Sequence, residues 1–526
     1  MRTLGLDAST QSLSALIIDT DTGEILVNRS LKFGERLPHY GSPNGFLPNA
    51  DPRIKHSDPL MWVEALDVLL QELRDGGVDL SQVHAVSGAG QQHGSVYLSR
   101  ALDDMGGWST ARTLVDQVRP LLARPTAPIW MDGGPEAEAA EITAALGNDG
   151  RVVALSGSRA IPRFTGPQIR KFSKDDPAAW ERTAEIHLVS SFMAGLLTGS
   201  SAPIDRGDGA GMNLLDLSTG DWNPDLLAAT APGLRARLRE PVASTTRVGT
   251  LADYFVNKFG FRKGTPVVAF TGDNPSSLVG MGATQPGSAV ISLGTSDTVF
   301  AAMAQPRTDP RGYGHVFGNP AGGFMALACF ANGSLAREAI ARRFGLDWNE
   351  FGKAITERTR PGNAGNLLLP FFVPEITPRL GTPIERWLGS DAFVAQRDGD
   401  AAARAVVEAQ ALNMRLHARF IGEHLDPILV TGGASQNRAI LQVLADVFQA
   451  RMLPLSVSNS SALGGALRAA QAVGGLTWTE LACRFSAPQH ERAVMPDVQT
   501  RGIYEELGTR FESALNEALA RGFVKG

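Results

Sequence analysis

Two hairpin-like stretches, one in each half of the chain, limit the fold more than any other feature. "LGLDASTQSLSALIIDT" runs from residue 4 to residue 20, and "GSAVISLGTSDTVFAAM" from 287 to 303. Each reads as a strand, a reversal of small and hydroxyl-bearing residues, and a second strand. The repetition suggests a duplicated α/β module, with a boundary near residue 265. Two unrelated β-hairpins satisfy the same pattern equally well.

The intervening segments fit an α/β chain. "EILVNRSL" extends the first hairpin into an antiparallel meander. In "PLMWVEALDVLLQELRDGG", Leu60, Trp62, Val63, Leu66, Leu69 and Leu70 recur at helical spacing, and Gly76 and Gly77 end the run. "VHAVSGAGQQHGSVYL" reads as strand, glycine-rich turn and strand, and "PAAWERTAEIHLVSSFMAGLLTG" as one long helix. In the second half, "TPVVAFTGDN" is a buried strand ending at an acid. "DPILVTGGASQNRAILQVLADVFQARMLPL" is a β-α-β unit, and "SALGGALRAAQAVG" is a further helix. A chain of 526 residues exceeds what one core supports, so two or three domains are expected.

Composition removes several classes of function. The formal net charge is −5 and no run of five basic residues occurs, so no nucleic-acid-binding surface is expected. Two cysteines, Cys329 and Cys483, are too few for a disulfide framework and read as small buried side chains. The N-terminus lacks a signal-peptide pattern, and no apolar run is long enough to cross a bilayer. The expectation is a soluble, cytoplasmic protein with no membrane partner. G-x-x-x-x-G-K-[ST], a helix-opening G-x-G-x-x-G, H-E-x-x-H, paired C-x-x-C and G-x-S-x-G are all absent.

Phosphate can be held without a lysine. A tight turn aims several backbone N–H groups inward, and Ser or Thr hydroxyls add donors. Residues 8–12 and 294–298 both suit this. Asp7, on a strand tip before such a turn, suits a hydrated Mg²⁺ bridging phosphates, since Mg²⁺ keeps several waters and takes one or two carboxylates. Asp273 also ends a strand, where open α/β sheets bind ligands, and suits a general base for phosphoryl transfer. A capping role for Asp273 or Asn274 at the following helix fits the local sequence at least as well. The glycines of "TGGASQN" admit a flat ligand, or form a tight turn with none.

Taken in order, "LGLDASTQS", "GQQHGS", "FTGDN", "SLGTSDT" and "TGGASQN" resemble the FGGY carbohydrate kinases of the actin-like ATPase superfamily. The resemblance spans nearly the whole chain. It implies two ribonuclease-H-like α/β domains around a central cleft, with residues 1–265 mainly binding sugar and 266–526 mainly binding ATP. The implied reaction is ATP- and Mg²⁺-dependent phosphorylation of D-xylulose to D-xylulose 5-phosphate. A ribulokinase-like specificity is the nearer alternative, and a non-kinase actin-like ATPase the more distant one. Residue by residue, Asp273 matches the catalytic base, and His93, Arg163, Asp273 and Asn274 match ketose contacts. Asp7 matches the metal position. Ser9, Thr10 and Gln11 match the first phosphate loop, and Gly294, Thr295 and Ser296 the second. Gly433, Asn437 and Trp348 match the adenosine site. Trp130, Asp132, Asp205 and Asp208 receive no role.

Overall fold

A computed structural model describes residues 1–522. The chain divides into two units, and neither is a continuous segment. The first comprises residues 1–284, 316–325 and 457–487; the second comprises 285–315, 326–456 and, of the described residues, 488–522.

The first unit is built on the meander read from the sequence. Strands β1 (Arg2–Ala8), β2 (Ser12–Asp19) and β3 (Glu24–Lys32) pair antiparallel in succession. Helix α1 (Pro59–Asp75) follows, with Asp58 accepting from the Leu60 N–H as its N-cap and Gly76 at its end. Strand β4 (Val83–Gly90) then lies parallel to β1, bringing Gly90 level with Ala8. The apolar faces of β1, β2 and α1, among them Leu6, Leu13, Trp62 and Leu66, form one core with Phe192 and Phe255.

Strand β5 (Ser95–Leu98) leaves the main sheet and pairs antiparallel with β6 (Glu185–Leu188). The segment 177–199 is therefore not one long helix. It divides into α2 (Pro177–Arg182), β6 and α3 (Val189–Thr198). Its apolar residues allow helical spacing, but a fully buried four-residue strand with a paired edge satisfies its backbone as well, and tertiary pairing decides.

Strands β7 (Arg247–Thr250) and β8 (Pro266–Val268) complete the far edge of the sheet, and β9 (Thr271–Gly272) pairs with the end of β4. Helix α4 (Asp273–Gly280) starts directly from it. The expected boundary at 265 thus falls inside the first unit, because β8 and β9 are hydrogen-bonded to β4.

In the second unit, β10 (Ala289–Leu293) and β11 (Asp297–Met303) form the second hairpin. Helices α5 (Ser334–Phe344), α6 (Trp348–Lys353) and α7 (Gly399–Ala418) follow. Strand β12 (Ile428–Thr431) lies parallel to β10; after α8 (Arg438–Phe448), β13 (Met452–Pro454) lies parallel to β12, as expected of the β-α-β unit.

The chain then returns to the first unit as α9 (Ser460–Gly474). This helix packs on β1, β4 and α4 at backbone contact distance. A Cβ at Gly5 would meet the Ala462 carbonyl oxygen at 1.9 Å, and one at Gly464 the Ser276 carbonyl oxygen at 1.9 Å. Only glycine permits that approach. The Arg468 guanidinium, fully buried on the same helix, donates to the backbone carbonyls of Ser244, Ala269 and Gly88.

Cys483 is exposed and Cys329 half-buried, contrary to the expectation of two buried thiols. Among the described residues no helix is long and apolar enough to cross a membrane.

Candidate active site

The polar residues of the first unit gather where β1, β4 and β9 end side by side. Parallel pairing of β1 with β4 and of β9 with β4 brings Ala8, Gly90 and Gly272 into register, so the residues after each strand share one edge. Asp7 is buried there. Its Oδ2 accepts from the Ser9 hydroxyl at 2.6 Å, and its Oδ1 is buried with no hydrogen-bond partner. Burial pushes this carboxyl up to about 6. The turn Ser9–Gln11 closes through a Ser9 N–H bond to the Ser12 carbonyl at 2.9 Å. The Thr10 hydroxyl donates to Gln91 Oε1 at 3.2 Å and accepts from Trp130 Nε1 at 2.8 Å. Gln11 is exposed.

Asp273 follows β9 and opens α4. Its Oδ1 accepts the Asn274 N–H at 2.8 Å, the Asn274 side-chain amide at 3.1 Å and the Gln92 N–H at 3.4 Å. The helix is N-capped by Gly272 without a side-chain bond. Neither Asp273 nor Asn274 acts as the cap that the local sequence allowed, since the Asn274 amide is turned to Gln92 Oε1 at 2.8 Å. Burial, with the charge of Asp7 adding to it, raises the Asp273 carboxyl to about 7. Part of its surface stays accessible. A carboxylate so placed takes a proton readily near neutral pH.

His93 holds a left-handed backbone at φ 69°, which a non-glycine residue adopts only where surroundings impose it. Its Nδ1 lies 2.8 Å from the Gly211 carbonyl, and its ring stacks on Phe164 at 4.1 Å. Arg163, half-buried, precedes Phe164 in the chain and so adjoins the same wall.

Three acids left without a role have structural ones. Asp132 accepts the backbone N–H groups of Lys55 and Gly134 and pairs with His56 at 3.1 Å, shaping the loop that carries Trp130. Asp205 caps a short buried helix through the Gly207 and Asp208 N–H groups. Asp208, fully buried, accepts from Ser190 Oγ at 2.5 Å.

The second unit carries a cavity of about 650 Å³, within the size range of small-molecule sites. Five of the six residues expected there line it: Gly294 and Thr295 from the β10–β11 turn, Gly433 and Asn437 after β12, and Trp348. Trp348 is half exposed, at 50%, offering a ring face to a flat ligand. Ser296 completes the turn, exposed, without lining the cavity. A Cβ at Gly433 would meet nothing within 4 Å, so its backbone stands open to a ligand. Asn437 caps α8, accepting from the Ala439 and Ile440 N–H groups at 3.0 and 3.3 Å. The sequence reading missed Ser334, Arg337 and Ile440, which also line the cavity.

Models of two domains match this chain: the N-terminal domain of the FGGY family of carbohydrate kinases over residues 113–280, and its C-terminal domain over 289–473. The chain belongs to the FGGY family of carbohydrate kinases. A xylulose kinase from Rattus norvegicus is 40% identical over 529 residues, covering 98% of this chain and 97% of that protein. Xylulose kinase 2 of Arabidopsis thaliana is 37% identical, with 89% of this chain and 86% of that protein covered. Among solved structures, a xylulose kinase from Rhodospirillum rubrum superposes with a TM-score of 0.83 at 22% identity, with both chains covered in full. The chain thus has the α/β fold of the FGGY sugar kinases and is a carbohydrate kinase.

Proposed function

We propose that this kinase transfers the γ-phosphoryl group of ATP to the terminal hydroxyl of D-xylulose, giving D-xylulose 5-phosphate. The choice of ketose is supported by the 40% identity to a xylulose kinase over nearly the whole chain. The observation that carries the chemistry is Asp273. Its Oδ1 is fixed by three N–H bonds, while its carboxyl titrates at about 7 and keeps an accessible surface.

In this reading Asp273 accepts the proton of the attacking hydroxyl. His93, Arg163 and Asn274 orient the sugar. His93 is held by Gly211 and Phe164 so that its ring direction is set before a ligand arrives. The cavity of the second unit takes the nucleotide. Trp348 and the open backbone at Gly433 face adenosine, and the N–H groups at Gly294, Thr295 and Ser296 meet phosphate oxygens. Ser9, Thr10 and Gln11 form a second turn with donors suited to phosphoryl oxygens. Magnesium fits the residues present, because the buried Asp7 Oδ1 has no protein partner and a single carboxylate suffices for a hydrated ion. When bound there, magnesium would neutralise phosphate charge.

The test is ADP release from ATP with a panel of pentuloses. A large rise with D-xylulose alone is expected. A larger rise with a ribulose would move the specificity to a ribulokinase-like one, and release independent of every sugar would refute the kinase chemistry proposed.

A further inference from the structure

Beneath the β10–β11 turn lies an ion pair that the reaction as described does not use. Arg337, on α5, is 1% exposed and Asp297, the first residue of β11, is 0% exposed. The guanidinium meets the carboxylate as a fork, Nη1 to Oδ2 at 2.8 Å and Nη2 to Oδ1 at 3.1 Å. Nη1 also donates to Gln410 Oε1 at 2.8 Å. The Gln410 amide in turn donates to the carbonyls of Asn332 and Gly333 at 2.6 and 2.9 Å. Those two residues lead into α5, whose first residue, Ser334, donates its N–H to the Gly294 carbonyl at 2.9 Å. The circuit therefore begins at one end of the turn, in Asp297, and returns to its other end, at Gly294.

The β10–β11 ladder brackets the turn, ending at the Leu293–Asp297 pair. Within that bracket Thr295 and Ser296 are exposed. The segment behind is pressed close: a Cβ at Gly333 would lie 2.7 Å from the Thr295 carbonyl oxygen and 2.8 Å from the Asp297 nitrogen. Buried ion pairs add little net stability, because desolvation cancels most of their attraction. Their value lies in fixing one arrangement, and a planar fork does that better than a point charge. Arg337 borders the cavity, yet both terminal nitrogens are committed to Asp297 and Gln410.

We infer that Arg337, paired with Asp297 and tied to Gln410, is a positioning residue for the nucleotide: it sets the Gly294–Ser296 backbone to receive phosphate without touching phosphate itself. The inference rests on the reading of that turn as a phosphate loop.

The experiment titrates a non-hydrolysable ATP analogue and, separately, D-xylulose into the full chain carrying Arg337→Lys, which keeps the charge but loses the fork. The expected result is a roughly ten- to hundredfold loss of analogue affinity, the scale on which small misplacement of donors acts. D-xylulose affinity should stay within about twofold, since an altered fork does not reach the sugar side chains. A second variant, Asp297→Leu with Arg337→Met, replaces the pair by apolar side chains, an exchange that often leaves stability unchanged. It should melt near the unsubstituted protein and still lose the analogue. Unchanged analogue affinity in the folded variants, or parallel loss of both ligands with a lowered melting temperature, overturns the inference. Failure of the underlying reading would appear elsewhere, as an unsubstituted protein that does not bind the analogue.

Discussion

Replacing Asp273 by Asn should lower activity and raise stability together. The isosteric amide keeps an Oδ1 able to accept from the Asn274 N–H, the Asn274 amide and the Gln92 N–H, so the local structure survives. What disappears is the proton acceptor, and general-base catalysis is worth about 10²–10⁴-fold. Turnover should fall by at least a hundredfold, with nucleotide affinity retained. The gain in stability follows from proton linkage. The carboxyl titrates at about 7 in the folded protein, against 3.8 unperturbed. The folded state therefore holds this proton through a window in which the unfolded chain has lost it. The group's contribution is greatest below pH 4 and declines as pH rises to 7, a loss of up to about 4 kcal/mol. Asn has no such loss. The variant should be the more stable protein at pH 8, with the difference closing toward pH 4, as read from denaturant midpoints across that range. A variant that keeps normal turnover refutes the base assignment. One that is inactive but shows no stability gain at pH 8 refutes the claim that a buried carboxylate is strained there.

His93→Asn retains a residue that accepts left-handed backbone and should weaken D-xylulose binding by roughly 5- to 150-fold, the effect of one lost hydrogen bond; titration of an ATP analogue alone should show no change, and parallel losses would make His93 scaffold. Burial and the nearby charges of Arg311 and Arg419 depress His417 to about 3. The unfolded chain therefore takes up this proton near pH 6.5 while the folded protein refuses it. Stability from this group is complete above 6.5 and falls with acidification, by about 2 kcal/mol at pH 5; His417→Gln should flatten the urea midpoint between pH 6.5 and 5. Gly5→Ala places a methyl 1.9 Å from a backbone oxygen and should cost at least about 1–3 kcal/mol, read as a lower melting temperature; an unchanged melting temperature would contradict the close approach of α9 to β1.

The parts legible in the sequence are those whose signals are local. Apolar runs on either side of a hydroxyl-rich reversal mark both hairpins, and the face Ile440, Leu441, Leu444, Val447 and Phe448 marks α8, the first four buried and Phe448 half-buried. Residues 177–199 were misread because buried helix and buried strand share one apolar pattern until a partner strand is known. The boundary at 265 falls inside the first unit because β8 and β9 pair with β4, a long-range pairing that no local signal carries, and the return of residues 457–487 is equally invisible locally. Arg337 had a faint signal: it interrupts the otherwise apolar buried face Ala336, Ile340, Ala341 of α5. A lone arginine at such a position announces a buried partner without saying that the partner lies 40 residues away, at Asp297.

The helix that closes over β1 also governs the order in which this chain can mature. Thr3 donates to the Ala466 carbonyl across 463 positions, and Gly5 of β1 and Gly280 of α4 lie directly against that helix's backbone. When residue 284 leaves the ribosome, the first unit has every strand of its sheet and a bare trough along one side. At ~5–20 residues per second, the helix that fills the trough emerges roughly ten to forty seconds later. For that interval Leu16, Ile18 and Val279 lack Leu463 and Leu467, the side chains that cluster with them in the finished fold. A premature stop codon just after β13 would therefore injure the unit made first.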